Sequence, residues 1–281
     1  MIKDNLFQKF YFEWWRKIDK TILFLILLLF ILGLFFSLVS TSLVASDRLN
    51  TNNYLFFFKH LVFISLGLGI LFFLSYLNAE KLFILSKFLF FICLISLVLV
   101  PFIGVEVKGS KRWLDFLFLP RFQPIELLKP FIIIMIASII SSKNEYNLYL
   151  KYFLSFLLIL PIIILLVSQP DVGQTILIFF TWLALIFVSG INLFLFFAFF
   201  GFMISIILYL IFFVSKFEYI LIRINSFFDP SSGNNYQSEK ASEAIINGGF
   251  FGKGIGEGVL KSRVPEAHTD YIVSVISEEF G

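Results

Sequence analysis

The fold class this sequence predicts is an all-α polytopic membrane protein, and three observations predict it. Hydrophobic residues make up 59% of the 281 positions and charged residues 15%, with 41 Phe. Mean hydropathy is +0.94. The apolar residues fall in long continuous runs rather than in alternation. A globular chain carries about 25% charged residues, so a water-soluble enzyme, a disordered chain and a coiled coil are excluded together. A net charge of +3 is too small to point to nucleic acid. The single cysteine, Cys93, cannot form an internal disulfide and excludes a disulfide scaffold.

Seven apolar runs are long enough for complete transmembrane helices, at residues 21–45, 55–77, 82–103, 125–140, 152–167, 174–189 and 193–214. An eighth begins near Tyr271 and has eleven residues before the sequence stops at Gly281. Barrel strands would be about ten residues long and strictly alternating, so helices are expected. The first run is too long for a cleavable signal peptide and has no small-residue cleavage pattern after it. Residues 1–20 form a leader with Lys3, Lys9, Arg16, Lys17 and Lys20. Cations beside the first span place the N-terminus in the cytoplasm, with Trp14 and Trp15 as interfacial anchors. Alternation then puts residues 104–124, 168–173 and a large loop at 215–270, between helices 7 and 8, outside the cell. Residues 108–129 carry Lys108, Lys111, Arg112, Arg121 and Lys129, and the large loop carries Lys216, Arg223, Lys240, Lys253, Lys261 and Arg263. Positive charge on that face opposes insertion, and an anionic extracytoplasmic ligand would explain it. The plain alternative is that long loops translocate whatever their charge.

Polar residues gather in four places, all on the predicted outer face. The first runs from Gly109 to Asp115 and on to Gln123-Pro-Ile-Glu-Leu-Leu-Lys129. Pro124 suits the first turn of a helix, which makes Glu126 and Lys129 i,i+3 neighbours. A structural ion pair and a substrate contact are equally good accounts of them, and Trp113 could be a simple interfacial anchor. The second is Ser168-Gln-Pro-Asp-Val-Gly-Gln-Thr175. Asp171 and Gln174 read as a capping box, which leaves Gln169 unexplained. The third has turn chemistry at Asp229, then a short amphipathic helix at 236–247 with Ala241, Ala244 and Ile245 on one face. Gly248, Gly249, Gly252, Gly254, Gly256 and Gly258 follow. Such a loop demands unusual backbone angles. It could also approach a phosphate with its N–H groups, although Lys253 is followed by Gly, so it is not a P-loop. The fourth holds Lys261, Arg263, Glu266, His268 and Asp270, then Glu278 and Glu279. Acids beside cations at the mouth of a membrane helix suit base catalysis on a charged substrate. An N-cap role explains Asp270 equally well. No zinc-ligand spacing is present, and a divalent cation, Mg or Mn, is the only cofactor left open.

At these four places the sequence resembles the SEDS family (shape, elongation, division and sporulation) of peptidoglycan polymerases. The residues that carry the resemblance are Lys108-Gly-Ser-Lys-Arg-Trp113, Gln123-Pro124 with Glu126 and Lys129, and Gln169-Pro-Asp-Val-Gly173. With them go Phe228-Asp-Pro, Tyr236-Gln237, Gly248-Gly-Phe-Phe-Gly-Lys-Gly-Ile-Gly-Glu-Gly258, Pro265-Glu-Ala-His-Thr-Asp-Tyr-Ile272 and Glu278-Glu-Phe-Gly281. The wording is closest to the family's cell-division member, with the elongation member next. Ile125, Lys59-His60 and Tyr271 depart from the family pattern. The resemblance implies ten spans, so the sequence is expected to stop short of the last two and most of a third.

The resemblance also implies a function. It is glycan polymerisation from lipid II, a disaccharide-pentapeptide on undecaprenyl pyrophosphate, at the septum in the bacterial inner membrane. Asp270 would act as general base on the acceptor hydroxyl, with Glu266 or His268 as substitutes. Lys111, Arg112, Lys261 and Arg263 are the cations that would meet the pyrophosphate. Trp113, Gln123, Glu126 and Lys129 are further substrate candidates. Asp171, Gly249, Gly252, Gly254 and Gly256 are expected to shape the loops. The implied partners are a class B penicillin-binding protein and other divisome membrane proteins. A lipid II flippase and a non-catalytic divisome scaffold are the rival classes. The apolar inner halves of the helices favour one-sided chemistry over a two-sided flippase.

Overall fold

The structure is a computed structural model, and it describes residues 12–38, 55–107, 109–116, 119–142, 146–228, 236–260, 263–264, 267 and 270–281. Helices occupy the described part of every predicted run, residues 39–45 of the first lying outside it: α1 (Lys20–Phe36), α2 (Leu55–Ser75), α3 (Ala79–Ile103), α4 (Pro124–Ile140), α5 (Leu148–Ser168), α6 (Val172–Val188) and α7 (Leu193–Phe213). Four of them are long and apolar enough to cross a bilayer, at Phe57–Ser75, Ala79–Ile103, Leu148–Ser168 and Leu193–Phe213. Lys20–Phe36 and Val172–Val188 are shorter apolar helices. Local signals fix several starts. Asp19 Oδ1 accepts from the N–H groups of Thr21 and Ile22, and Asn192 Oδ1 accepts from that of Phe194. Each satisfies donors that a helix N-terminus leaves unpaired.

The expectation of helices alone is corrected between α3 and α4. Strands β1 (Val105–Val107), β2 (Ser110–Phe116) and β3 (Leu119–Phe122) form an antiparallel sheet in that order. The segment is too polar to enter hydrocarbon, and Val105, Val107, Trp113 and Phe116 favour a pleated surface. Gly109 takes φ +81° at the β1–β2 turn, a left-handed angle that glycine adopts without penalty. The 215–270 segment is also more ordered than a loop. It holds a 3₁₀ turn (Ser215–Phe217), α8 (Glu218–Phe228) and α9 (Tyr236–Gly248), before α10 (Ile272–Phe280). In α9 Ala241 and Ala244 are buried as expected, but Ile245 is exposed.

The chain divides into two compact units, residues 78–224 and residues 1–77 with 225–281. In the first, α3 buries Ser86, Phe90, Cys93, Leu97 and Val100 and exposes Ile84, Phe88, Phe91 and Ile95 on the other side. A helix apolar all round has lipid as its second solvent. Leu128, Ile132, Ile159, Ile162, Trp182 and Ile186 complete the interior. Trp182 Nε1 donates to Ser155 Oγ at 2.9 Å in that interior, an interhelical bond of the kind that holds membrane bundles together. In the other unit Trp14 is buried. Its Nε1 donates to Ser75 Oγ at 2.8 Å and its ring stacks on Tyr76. Only Trp15 of the expected interfacial pair is exposed.

Candidate functional site

In the unit spanning residues 78–224, the polar residues meet where the sheet covers the ends of α4, α5 and α6. Side chains alternate across β2: Lys111, Trp113 and Asp115 are exposed, whereas Leu114 is fully buried and Arg112 partly so. Arg112 therefore turns inward. It donates to the carbonyls of Gln169 (3.4 Å) and Pro170 (2.6 Å) and lies 3.7 Å from Asp171 Oδ1. Asp171 is the hub. It is buried and caps α6, accepting from Gln174 N at 3.5 Å, and its Oδ2 accepts from Gln123 Nε2 at 3.1 Å. One carboxylate thus ties β2, the start of α4 and the start of α6 together, at a helix N-terminus where negative charge is favoured.

The reciprocal half of the predicted capping box does not form. Gln174 Nε2 instead donates to Glu126 Oε1 at 2.7 Å, and Glu126 Oε2 pairs with Lys129 Nζ at 2.7 Å. The Oε1 of Gln174 is buried with no donor among the described residues. Gln169, unexplained by sequence, is buried and donates to the Leu97 carbonyl. A polar cavity of about 300 Å³ opens beside this network, lined by Pro101, Glu106, Gly109, Ser110, Lys111, Ser168, Gln169 and Pro170. Glu106 and Lys111 face one another across β1 and β2. A cavity of about 200 Å³ among α5, α6 and α7 is lined by apolar residues apart from Thr175 and offers no titratable side chain. The polar one, with Glu106 and Lys111 on its lining, is the candidate for contacts to a charged ligand within this unit.

In the other unit the glycine-rich loop wraps the end of α10. Lys253 N donates to Glu278 O at 2.9 Å and Gly254 N to Glu279 O at 3.0 Å. A Cβ on Gly248 would overlap the Ser277 carbonyl oxygen, and one on Gly252 that of Glu279. Gly249, Gly252, Gly254 and Gly256 have φ of +62°, +72°, +110° and +85°. The phosphate-cradle use of this loop is corrected at those two amides: they satisfy the carbonyls of α10, and the glycines permit that close approach. Glu278 is fully buried, and its Oε1 accepts from Leu260 N (2.8 Å) and Asn247 Nδ2 (3.1 Å). Adjacent acids in an apolar stretch were the signal for this organising role.

Val264, Ala267, Ala244 and Val275 form a small buried core with Leu260 and Tyr271 packed on it. Val264 and Ala267 are buried, whereas Arg263 and Asp270, which flank them in sequence, stand exposed. The helix cap of α10 is Tyr271, without a side-chain cap bond. Asp270 precedes that position, so it does not serve as the N-cap. Among the described residues it has no hydrogen-bond or ion-pair partner. Lys108, Lys261, Pro265, Glu266, His268, Thr269 and the turn at 229–235 lie outside the described residues. Among the described residues no three His, Cys, Asp or Glu gather as a metal-holding group.

Comparisons with known proteins bear on the same segments. A family model described as "Cell cycle protein", FtsW/RodA/SpoVE, matches residues 19–281. The chain is 31% identical over 269 residues to a probable peptidoglycan glycosyltransferase FtsW of Caulobacter vibrioides, covering 95% of this chain and 68% of that protein. It is 35% identical over 274 residues to the protein of the same name from Coxiella burnetii, covering 94% and 72%. Among solved structures, one concerns the structural coordination of polymerization and crosslinking by a peptidoglycan synthase complex. It matches with a TM-score of 0.68 and 25% identity, over 94% of this chain and 72% of that one. The rod shape determining protein RodA of Thermus thermophilus matches with a TM-score of 0.53 and 28% identity, over 66% and 59%. On the family match and these identities over nearly its whole length, the chain belongs to the FtsW/RodA/SpoVE family of cell cycle proteins.

Proposed function

We propose that this chain is a peptidoglycan glycosyltransferase that polymerises lipid II into glycan strands at the division septum. It would act as a multi-pass protein of the inner membrane, with seven spans and an eighth begun in this sequence and a cytoplasmic N-terminus. The observation that carries the reading is Asp270: an exposed carboxylate at the entry to a helix, committed neither to capping nor to a partner among the described residues. In the proposed step its carboxylate takes the proton of the acceptor sugar 4-hydroxyl. That oxygen bonds to the anomeric carbon of the donor, and the carbon–oxygen bond to undecaprenyl pyrophosphate breaks, the electron pair leaving with the pyrophosphate. A positioned base contributes roughly 10²–10⁴-fold to such a step.

Exposed Arg263, in the same unit as Asp270, is proposed to meet the leaving pyrophosphate, and Lys111, at the polar cavity of the other unit, is proposed as a substrate contact there. Lys261, Glu266 and His268 are proposed to line the same substrate. A divalent cation, Mg or Mn, bound to the pyrophosphate would add to leaving-group stabilisation. The relatives named FtsW support the division role, and the similarity to a chain of a peptidoglycan synthase complex supports a transpeptidase partner of the class B penicillin-binding type. Other divisome membrane proteins complete the proposed partners.

The test is lipid II polymerisation by the full-length protein with its transpeptidase in proteoliposomes. Asp270→Asn is expected to abolish glycan products while leaving the protein folded and inserted. Undiminished product from that variant would remove Asp270 from the chemistry. Lipid II translocation without product from the unsubstituted protein would make it a flippase, and neither activity would make it a scaffold.

A further inference from the structure

The tip of the glycine-rich loop carries two adjacent phenylalanines, Phe250 and Phe251, whose exposures of 90% and 89% exceed those of every other large apolar side chain described. We propose that this tip is a membrane wedge: Phe250 and Phe251 insert among the acyl chains of the bilayer and hold the loop at the lipid surface.

The depth of the tip follows from a chain of contacts within one unit. The Phe250 carbonyl lies against Gly281, where a Cβ would overlap it. The neighbouring Phe280 ring sits 6.0 Å from that of Phe35 and 5.6 Å from that of Phe36. Both belong to α1, whose first residue, Lys20, follows Arg16 and Lys17. That cationic end marks one membrane interface. Sixteen residue steps at 1.5 Å place Phe36 about 24 Å further along the helix, still inside a hydrocarbon layer about 30 Å thick. Phe250, two contacts further on, therefore lies near the far edge of that layer, within side-chain reach of the acyl chains.

Side chains next to the tip are sorted as lipid would sort them, and the exposed Glu257 comes six residues after Phe251. Glu278 and Glu279 are buried and turned into the protein, and Glu278 is held by Asn247 and the Leu260 amide. Phe250, Phe251 and the nearby Ile246, 79% exposed, face outward. Ionisable groups at membrane depth turn inward to partners, whereas apolar groups can face the chains. Phe35, 43% exposed on α1, extends the same apolar surface. Lys253, the exposed cation of the loop, has a stem long enough to reach the headgroups while the backbone stays lower. The mounting is rigid, because the Lys253 and Gly254 amides are bonded to α10.

The test uses the full-length protein, alone in nanodiscs of phosphatidylethanolamine and phosphatidylglycerol, in a background with Cys93 and any other native cysteine replaced by Ser. A nitroxide is attached at Phe251→Cys and, as a control on the exposed face of α9, at Glu239→Cys. Power saturation then compares collisions with oxygen and with a water-soluble nickel chelate. At position 251 oxygen is expected to dominate, with the order reversed at position 239. Nickel dominance at both positions would overturn the proposal. Shielding from both reagents at position 251 would also overturn it, because a protein surface would then cover the tip. If Phe251→Cys fails to fold, Phe250→Cys gives the same readout.

Discussion

The side-chain amide of Gln169 donates to the main-chain carbonyl of Leu97 at 3.5 Å, and Leu97 lies four residues before Pro101, a proline inside α3. Proline has no N–H, so it strips the carbonyl four residues earlier of its helical donor. Gln169 replaces that donor from the α5–α6 turn. Gln169→Leu is expected to destabilise the protein by about 1–3 kcal/mol, the cost of a buried unsatisfied polar group. In a Pro101→Ala background the backbone N–H returns and the penalty should shrink. Thermal unfolding of the four proteins in nanodiscs gives the coupling, expected to be at least about 0.5 kcal/mol. Additive effects would show that the two sites act independently.

The neighbouring cations Lys111 and Arg112 separate into two roles because a strand sends successive side chains to opposite faces. Arg112 binds the carbonyls of Gln169 and Pro170, while Lys111 lines the polar cavity. Arg112→Ala is expected to lower stability by about 1–3 kcal/mol, as hydrogen bonds to a charged group are lost. Lys111→Ala should change stability by no more than about 0.5 kcal/mol and raise the KM for lipid II. Unfolding curves and steady-state kinetics of both variants check the division of labour. A stability loss confined to Lys111→Ala would reverse it.

The same residues mark what sequence could convey. Apolar runs of 16–25 residues located the helices, because hydropathy depends on composition alone. The sheet at 105–122 leaves no such signal. Its strands of three, seven and four residues are too short to show a period. Arg112 and Lys111 were indistinguishable as cations until β2 gave each a face. Gln169 had no explanation because its partner is a carbonyl 72 positions away, and main-chain acceptors leave no mark in a sequence. Asp270 could be read as cap or base equally well. The position of the cap at Tyr271, one residue later, is a backbone fact.

Glu126 and Lys129 form an i,i+3 pair at 2.7 Å that is 48% and 24% exposed at the side chains. Such pairs contribute roughly 0.2–1 kcal/mol, too little to make stability their main role. The charge swap Glu126→Lys with Lys129→Glu should preserve the pair. The Gln174 amide can rotate to turn its unpartnered Oε1 toward the new ammonium. Stability is expected to stay within about 1 kcal/mol of the parent, while polymerisation falls because the charge pattern offered to substrate is reversed. Full activity in the swapped protein would assign the pair to structure alone.

Two glycines separate conformational need from close approach. Gly109 and Gly252 both have positive φ, +81° and +72°, and an L side chain there costs about 1–2 kcal/mol. Around Gly109 a Cβ would meet nothing within 4 Å, whereas at Gly252 it would overlap the Glu279 carbonyl. Gly109→Ala should therefore show the conformational cost alone. Gly252→Ala must also push the loop off α10, which breaks the bonds from Lys253 N to Glu278 O and from Gly254 N to Glu279 O. Hydrogen exchange at those two amides is expected to accelerate in Gly252→Ala and stay unchanged in Gly109→Ala. Polymerisation should fall in the first variant, because the same end of α10 holds Glu278, which anchors the Leu260 amide at the base of the segment leading to Asp270. Protected amides in Gly252→Ala would show that the loop tolerates a side chain, and that its contact with α10 does not set the position of the proposed base.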